Sequence, residues 1–529
     1  MNEASSDKIV IIGLDGLDPD LLDRFIGEGI LPNFKRLIDN GAYGRLRASI
    51  PIITPVSWTS FITGKNPGKH GIFGFVKFKG NSYDLKILNS SDRKAEGIWS
   101  ILNRYGRTVG ILNLPSLYPP EKINKFMVCG MLTPNKRCSF TYPPELQEEF
   151  LGEVKDYEID VRLIKAAYDS KEILLKDLYS LTDKRHEATR YLLKKYPCDV
   201  FITVFTETDR IQHYFFDDDK ALRDYFKYLD GKLGNLLADL DKGTNVFVVS
   251  DHGIGPFGKF IYLNKWLNDQ GLLEINKKSV NYLKHSFAKK IIQWISTLLV
   301  RLKFDVEKIK LMFPEKVVNG FTYLYCYYGG IDWHKTKAYF CSGAGEGIII
   351  NAKRRFPEGI VGDEEYESLR DMIIKGLFQI KDSDTGQSVV ESAYKREDLL
   401  HGEVTQEAPD IILKLRNGYA THESVETQEV LQDRPAKEIL VAEHRLEGIF
   451  IAYGNKIKSG VKIQDCSILD IAPTLLRKLR LPIPQDFDGR VLEEIFSEKS
   501  ADLIEAPMIS ISEQLRKRIR ELKLSGKIK

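Results

Sequence analysis

Aspartates and histidines that could bind a metal ion follow several apolar runs of the sequence. Asp15 ends a run at 8–14, and Asp251 and His252 follow another run at 245–250. Asp209 and His213 follow a third, and their i, i+4 spacing directs both side chains to one place if a helix begins there. Carboxylates and imidazoles at the carboxyl ends of strands suit a divalent metal ion. The pattern predicts a metal-dependent hydrolase.

Alternating strand and helix patterns would position these residues. Buried strands are predicted at four apolar runs: 8–14, 108–113, 199–205 and 245–250. Helical patterns between them include Pro19–Ile38 and Lys184–Lys195. A late run at 448–452 and a helix at Ile468–Leu479 are predicted to return the chain to the same sheet. This order indicates βαβ units and therefore an α/β fold with a mainly parallel central sheet.

The chain of 529 residues is too long for one compact core. We predict a catalytic core formed by 8–255 and 440–495, with 256–439 inserted as a cap or substrate region. The stretch 496–529 is predicted to be a basic, exposed C-terminal tail. Within the insertion, strand patterns are predicted at two further runs: 347–351 and 409–413.

Composition and charge exclude several other classes of protein. The 77 basic and 74 acidic residues leave a formal charge of +3, which is too balanced for a general nucleic-acid surface. The six cysteines form no Cys-x-x-Cys pair, which argues against a thiolate zinc site and a disulfide scaffold. The polar N-terminus runs directly into the first strand without a signal-peptide pattern, so a cytoplasmic location is expected.

One stretch, 289–303, is apolar in its middle and basic at both ends. It is shorter than the roughly 20 residues that span a bilayer. Two readings remain open: a helix packed over the rest of the cap, which we favour, or peripheral contact with an anionic membrane surface.

Several motifs together resemble the alkaline phosphatase superfamily, and within it the prokaryotic branch of the type I phosphodiesterase and nucleotide pyrophosphatase family. The four main motifs, in the family's order, lie at 13–16, 54–72, 208–213 and 250–253. The late segments 471–476 and 488–490 are similar to the C-terminal end of the same fold. The resemblance implies a three-layer alkaline-phosphatase-like fold with a large inserted cap region.

The resemblance also implies two divalent metal ions and their ligands. One ion would be surrounded by Asp15, Thr54, Asp251 and His252, and the other by Asp209, His213 and a later histidine. Zinc is favoured because the ligands mix imidazole with carboxylate, while manganese and iron stay open. For the later histidine we favour His444, which precedes the late strand, over His422, which has no following strand and is predicted to lie on the surface or in the cap.

Thr54 is implied to be the nucleophile that forms a phospho-threonine intermediate. The alternative is structural, because a threonine before Pro55 is typical of a helix N-cap. Both roles can hold together. His70 matches no ligand position and is predicted to fix the turn that follows the Thr54 helix.

The sequence departs from the family at one substrate-binding position. Eukaryotic members carry an asparagine after the His-Gly-Ile turn, whereas this chain has Phe75. Asn113 or a backbone amide would have to replace that donor. Arg210 could bind a substrate anion or form an exposed salt bridge, and Phe75 with Trp58 and Phe73 could form an apolar wall or belong to the core.

The predicted activity is hydrolysis of a small-molecule phosphate ester, as in phosphodiesterases and nucleotide pyrophosphatases. Two alternatives are kept: a phosphomonoesterase or phosphoglycerate-mutase-like phosphotransferase, and a binding protein with a vestigial core. The intact ligand set argues against the second. We recognise no chemical motif that identifies the substrate in 256–440.

Overall fold

The structure is a computed structural model that describes residues 8–161, 171–276 and 330–498. The predicted amphipathic stretch 289–303 and residues 499–529 of the predicted tail lie outside the described residues. Within the described ranges, no helix combines the length and the apolar character needed to cross a membrane.

The strands are labelled in chain order. They are β1 Ile9–Leu14, β2 Ala42–Arg47, β3 Val76–Phe78, β4 Leu85–Ile87, β5 Val109–Leu112, β6 Phe126–Val128, β7 Thr141–Tyr142, β8 Val200–Phe205, β9 Asn245–Val249, β10 Gly253–Pro256, β11 Lys259–Tyr262, β12 Ala338–Cys341, β13 Gly347–Ile350, β14 Val390–Lys395, β15 Ile411–Leu415, β16 Tyr419–His422, β17 Leu431–Asp433, β18 Ala442–Arg445, β19 Glu447–Tyr453 and β20 Val461–Ser467.

Helices are named by their ranges. The α-helices are Pro19–Gly27, Pro32–Asp39, Thr54–Thr63, Pro67–His70, Ile98–Arg104, Leu146–Glu153, Lys171–Lys195, Glu207–Phe215, Asp219–Asp239, Leu263–Asp269, Asp363–Leu377, Arg396–Leu399 and Ile471–Lys478. Short 3-10 helices are Ser90–Asp92, Ser342–Ala344, Thr405–Glu407, Ile468–Asp470 and Glu493–Ile495.

A nine-stranded sheet with the order β20-β2-β19-β9-β1-β8-β5-β6-β7 forms the centre of the fold. It is parallel except where β19 lies between β2 and β9 and where β7 joins β6. The central strands β1, β5, β8 and β9 are buried along their whole length, as expected when helices cover both faces. The predicted three-layer α/β fold is confirmed, and the late strand β19 returns to this sheet as predicted.

Two element boundaries differ from the predictions because of prolines. The predicted helix Pro19–Ile38 is wrong: Pro19–Gly27 and Pro32–Asp39 are separated by a turn in which Gly29 has φ +75°. Pro32 begins the second helix, since its ring and missing N–H would break a continuous one. The strand predicted at 409–413 begins at Ile411 instead, and the preceding Asp410 accepts a hydrogen bond from Ile350 N at 2.8 Å.

The segment 256–439 contributes most of a second hydrophobic core. Its four-stranded sheet has the order β12-β13-β15-β14 and is antiparallel. Helix Asp363–Leu377 packs into this core, as do Val76 and Leu85 from the β3–β4 hairpin. Strands β10 and β18 pair antiparallel, with Ile254 opposite His444, so the chain leaves and re-enters the central sheet at one place.

Candidate metal centre

The first group of candidate ligands, called cluster one, consists of Asp15, Asp251 and His252. Asp15 follows β1 and the other two follow β9, and these neighbouring strands are parallel with Gly13 opposite Val249. Their carboxyl ends are therefore level, and the candidate ligand atoms all lie within 4.8 Å of one another. His252 Nε2 is 3.6 Å from Asp15 Oδ1 and 3.4 Å from Asp251 Oδ2.

The second group, cluster two, consists of Asp209, His213 and His444. Asp209 and His213 lie one turn apart on helix Glu207–Phe215, as the spacing predicts, and His444 comes from β18. The ligand atoms of this cluster also lie within 4.8 Å of one another. The ring centroids of His252 and His444 are 4.0 Å apart, so the two clusters are adjacent.

His422 lies elsewhere. It ends strand β16, is exposed, and packs against the rings of Phe260 and Tyr262. The structure therefore brings His444, rather than His422, to Asp209.

The three histidines of the clusters share one orientation. Each Nδ1 lies within hydrogen-bond distance of a backbone carbonyl: His213 with Ala442 at 2.6 Å, His444 with Ile52 at 2.8 Å and His252 with Gly253 at 3.1 Å. An Nδ1–H that donates to a carbonyl fixes the tautomer and leaves the Nε2 lone pair free. All three Nε2 atoms face the cluster carboxylates, which is the arrangement of metal-binding imidazoles.

The hydrogen bonding of the three carboxylates also suits bound cations. One oxygen of each accepts a hydrogen bond: Asp15 from Trp58 Nε1 at 3.0 Å, Asp251 from Gly16 N at 3.2 Å and Asp209 from Arg210 Nη1 at 2.6 Å. The other oxygen of each is buried and has no hydrogen-bond partner among the described residues, although Asp209 Oδ1 lies 3.2 Å from His213 Nε2. A buried carboxylate oxygen without a partner is costly, and a coordinated cation would satisfy it.

The charges of the two clusters are balanced differently. Burial and the charge of Asp209 raise the pKa of Asp15 to about 7, and burial with Asp15 raises the pKa of Asp251 well above its usual value. Burial also acts on Asp209, but His213 and Arg210 outweigh it and hold the pKa of Asp209 well below normal. Burial opposes protonation of His444, yet Asp209 and Glu443 raise its pKa to about 10.

Thr54 lies beside cluster one. It is the first residue of helix Thr54–Thr63, and the capping position is occupied by Ile53, without a side-chain cap. The structural alternative of Thr54 as the N-cap is therefore wrong. Its hydroxyl oxygen lies 3.2 Å from His252 Nε2.

Several supporting residues were not recognised from the sequence. Trp58 is fully buried, donates to Asp15, and approaches β1 so closely that a Cβ at Gly13 would lie 2.6 Å from its ring. Thr208 donates to Asp15 O at 2.6 Å and Gln212 to Gly16 O at 2.8 Å, which joins helix Glu207–Phe215 to the end of β1. These residues lie inside the motifs 54–72 and 208–213, and that location was the sequence signal that could have indicated their supporting role.

His70 has the structural role that was predicted for it. It is fully buried, its Nδ1 accepts from Ile72 N at 3.2 Å, and its Nε2 lies 3.0 Å from Ser60 Oγ on the Thr54 helix.

The three candidate substrate-binding residues occupy different surroundings. Arg210 contacts Asp209 and, at 3.3 Å, Asp160, with only 14% of its side chain exposed, so its ion pairs are buried rather than exposed. Asn113 is fully buried at the end of β5 and its amide donates to Val204 O at 2.9 Å. Phe75 packs against the second core.

The sheet order defines an α/β fold, and the two adjacent clusters form its candidate metal centre. The sequence profile described as type I phosphodiesterase/nucleotide pyrophosphatase matches residues 9–437, and the chain belongs to this family. The match includes nearly all of 256–439 and ends before His444. No curated protein sequence is significantly similar to the chain.

Solved structures show the same fold at low sequence identity. Human ectonucleotide pyrophosphatase/phosphodiesterase 5 is 14% identical, with 93% of this chain and 100% of that chain covered and a TM-score of 0.53. Phosphonoacetate hydrolase from Sinorhizobium meliloti, in complex with phosphonoformate, is 16% identical, with 89% and 95% covered and a TM-score of 0.57. An inactive murine ectonucleotide pyrophosphatase/phosphodiesterase 5, in which a threonine is replaced by alanine, is bound to AMP; it is 14% identical, with 93% and 100% covered and a TM-score of 0.52.

Proposed function

We propose that the chain is a two-metal phosphodiesterase of the nucleotide-pyrophosphatase type that acts on a small-molecule phosphate ester through a phospho-Thr54 intermediate. Family membership supports hydrolysis of phosphoryl esters. The observation that carries the finer proposal is the position of the Thr54 hydroxyl, 3.2 Å from His252 Nε2, beside carboxylate oxygens without a hydrogen-bond partner in the described part of the chain. The murine relative bound to AMP, inactive through a threonine-to-alanine change, is consistent with a threonine role.

The two clusters would each hold one divalent ion. Cluster one with Thr54 would bind the first ion, and cluster two the second. Zinc suits the mixture of imidazole and carboxylate, and manganese and iron are the alternatives. Two such ions, when bound, stabilise negative charge on phosphoryl oxygens and favour the alkoxide form of a hydroxyl group.

The residues of the chain would perform the reaction in two steps. Thr54 Oγ1 would give up its proton to solvent and bond to phosphorus while the bond to the leaving-group oxygen breaks, and solvent would supply a proton to the leaving group. Water then cleaves the phospho-threonine, which releases the phosphate product and restores the hydroxyl. Because Thr54 begins a ten-residue helix, the positive end of the helix dipole faces the phosphoryl group attached there.

The segment 256–439 is proposed to act as a cap that selects the leaving group. A cavity beside His444 is lined on one side by Ile50, Ile52 and Leu446. Phe257 and Glu346 of the segment line it as well, next to Glu443. The cavity therefore joins the proposed cap to cluster two, where a leaving group would lie.

A phosphomonoesterase or phosphotransferase is the second candidate. Phe75 cannot donate to a phosphoryl oxygen, and Asn113 is fully buried, with an amide N–H donating to Val204 O. The usual side-chain donor for a diester is thus not replaced by either residue.

A cytoplasmic location stays a prediction of the sequence.

A chromogen screen tests the proposed function. Metal-loaded protein would be assayed with bis-p-nitrophenyl phosphate, p-nitrophenyl phosphate and p-nitrophenyl sulfate. The diester is expected to be turned over fastest. Faster turnover of the monoester would favour the second candidate, and no turnover of any chromogen would contradict both.

A further inference from the structure

A cavity of about 960 Å³ lies where the β3–β4 hairpin, the loop after His70 and the second core meet. Its walls come from the hairpin on one side and from 352–356 and 406–410 on the other. None of the residues of cluster one or cluster two lines it, and it shares no lining residue with the cavity beside His444. Its volume lies in the range of about 300–1,000 Å³ that is typical of small-molecule sites.

The lining of this cavity is strongly basic. Six basic residues line it, against the two acidic residues Glu407 and Asp410: Lys77, Lys79, Lys86, Arg354, Arg355 and Arg396. The whole chain carries a formal charge of only +3 over 529 residues. Positive charge is therefore concentrated here, and such a cavity attracts anions.

Four of the basic residues pair two by two with shared carboxylates, those of Asp92 and Asp410. Lys77 Nζ and Lys86 Nζ lie 2.9 and 2.6 Å from the same oxygen of Asp92. One carboxylate neutralises one of the two ammonium charges, which leaves positive charge at the cavity wall.

The same arrangement recurs on the opposite wall. Arg355 and Arg396 lie 3.1 and 2.8 Å from the two oxygens of Asp410. Arg396 also contacts Glu397 at 3.0 Å, but Glu397 is in turn shared with Arg370 at 2.6 Å.

The remaining two basic residues are exposed. Lys79 begins the turn of the β3–β4 hairpin, where its N donates to Asp84 O. Arg354 is 3.2 Å from Asp363, whose side chain is 76% exposed, so water screens this pair. Lys79 can turn toward a bound anion without breaking a buried contact, whereas Arg354 would leave the ring of the buried Tyr366, whose centroid is 4.3 Å from its guanidinium carbon.

Apolar side chains form the rest of the lining. Phe78 and Phe356 meet edge to face, with ring centroids 5.2 Å apart, and Val76, Leu88 and Ile349 lie beside them. A ligand that fits this lining combines an anionic group with an aromatic or apolar part.

We propose that this cavity binds an organic phosphate with an aromatic or apolar moiety, at a site separate from the metal centre. Guanidinium groups match phosphate oxygens in a bidentate way, and the lysines add charge. Gly71 and Phe73 also line the cavity and directly follow His70, which contacts the Thr54 helix through Ser60. A ligand bound here would therefore touch the loop that continues from the helix of Thr54.

The test is equilibrium dialysis of the full-length, metal-loaded chain with α,β-methylene-ADP, whose phosphorus–carbon bridge resists cleavage. The double variant Lys79→Gln/Arg354→Gln removes the two exposed cations without touching the clusters. The double variant is expected to bind α,β-methylene-ADP in the basic cavity about tenfold more weakly than the parent does, because two charge-assisted contacts are lost. Turnover of the diester chromogen is expected to stay unchanged.

Three comparisons complete the design. Lys375→Gln, which changes an exposed lysine outside the cavity, should bind as the parent does. Inorganic pyrophosphate should bind more weakly than the nucleotide, because it lacks a ring for the apolar lining. Asp209→Ala should still bind α,β-methylene-ADP in the basic cavity even if hydrolysis is lost. That result would separate the cavity from the proposed function. Equal binding by the double variant and the parent, or loss of all binding in Asp209→Ala, would overturn the proposal.

Discussion

The two metal-ligand clusters lie side by side but are held and charged in different ways. The side chains of cluster one are at most 2% exposed, whereas His213 and His444 of cluster two are 9% and 15% exposed. Cluster one is formed at the ends of two central strands, and cluster two joins a helix to β18. Arg210 contacts Asp209, while no arginine or lysine of the described ranges pairs with the buried carboxylates of cluster one.

Cluster one depends on an added cation, whereas the charge of cluster two is partly balanced by the protein. In cluster one burial raises the pKa values of both carboxylates, and the charge of Asp209 adds to the rise at Asp15, as the charge of Asp15 does at Asp251. In cluster two, His213 and Arg210 already favour the ionised form of Asp209. Cluster one is thus expected to bind its metal ion more tightly than cluster two does, and Thr54 lies beside cluster one.

The largest effect is expected from Thr54→Ala. Turnover should fall by several orders of magnitude with metal content unchanged, because the covalent step loses its hydroxyl. Thr54→Ser should retain a measurable part. Thr59→Ala is the matched control: Thr59 is buried on the same helix and donates to Pro55 O, so its loss should spare turnover. Full activity in Thr54→Ala would reduce Thr54 to a structural residue.

A second variant pair tests the composition of cluster two. His444→Ala should lower metal occupancy and reduce turnover by about tenfold to a hundredfold or more, because a first ligand matters at least as much as its outer partners. His422→Ala should change neither quantity. Metal analysis and chromogen turnover measure both. The reverse pattern would move the ligand to His422.

The charge difference between the clusters predicts opposite stability effects in metal-free protein at pH 8. Asp15→Asn should raise the free energy of unfolding by about 1–3 kcal/mol, because it removes one of two repelling buried carboxylates. Asp209→Asn should lower it by a similar amount, since the buried Arg210 loses a counter-charge. Urea unfolding in the presence of chelator measures both, and a change of the same sign in the two variants would refute the comparison.

The smallest effect concerns His70, which supports the Thr54 helix outside both clusters. Burial and Arg93 lower its pKa from 6.5 to about 3 in the folded chain, so the unfolded chain binds the extra proton first. Its contribution to stability is therefore complete above pH 6.5 and declines as the pH falls toward 3.

His70→Asn removes this titration and should show a shallower loss of stability over that window, with normal metal content. Asparagine keeps an oxygen that can accept from Ile72 N. Parallel pH curves for parent and variant would exclude the assigned role.

Much of the fold could be predicted because its signals are local. The buried strands are continuous apolar runs, and the helix that carries Asp209 and His213 begins where their spacing requires it. The break between Gly27 and Pro32 was missed because the helical pattern continues through it. The start of β15 was placed two residues too early because the predicted strand included Pro409 and Asp410, which precede it.

The site was predictable only in part, because its supporting contacts join distant segments. The ligand positions follow strand ends, so their order along the chain indicates that they meet. The contact of Trp58 with Asp15, the unpartnered carboxylate oxygens and the shared imidazole orientation depend on tertiary structure. No pattern in the sequence predicted the basic cavity, because its residues come from three distant segments: 71–88, 344–356 and 396–410.

The most direct test of the central claim is the metal content of the purified protein after incubation with zinc or manganese and removal of unbound ions. The account predicts about two divalent ions per chain. It also predicts that His252→Ala and His213→Ala each keep about one ion, with the tighter ion remaining in His213→Ala. A parent protein that binds no divalent ion would contradict the two-cluster account.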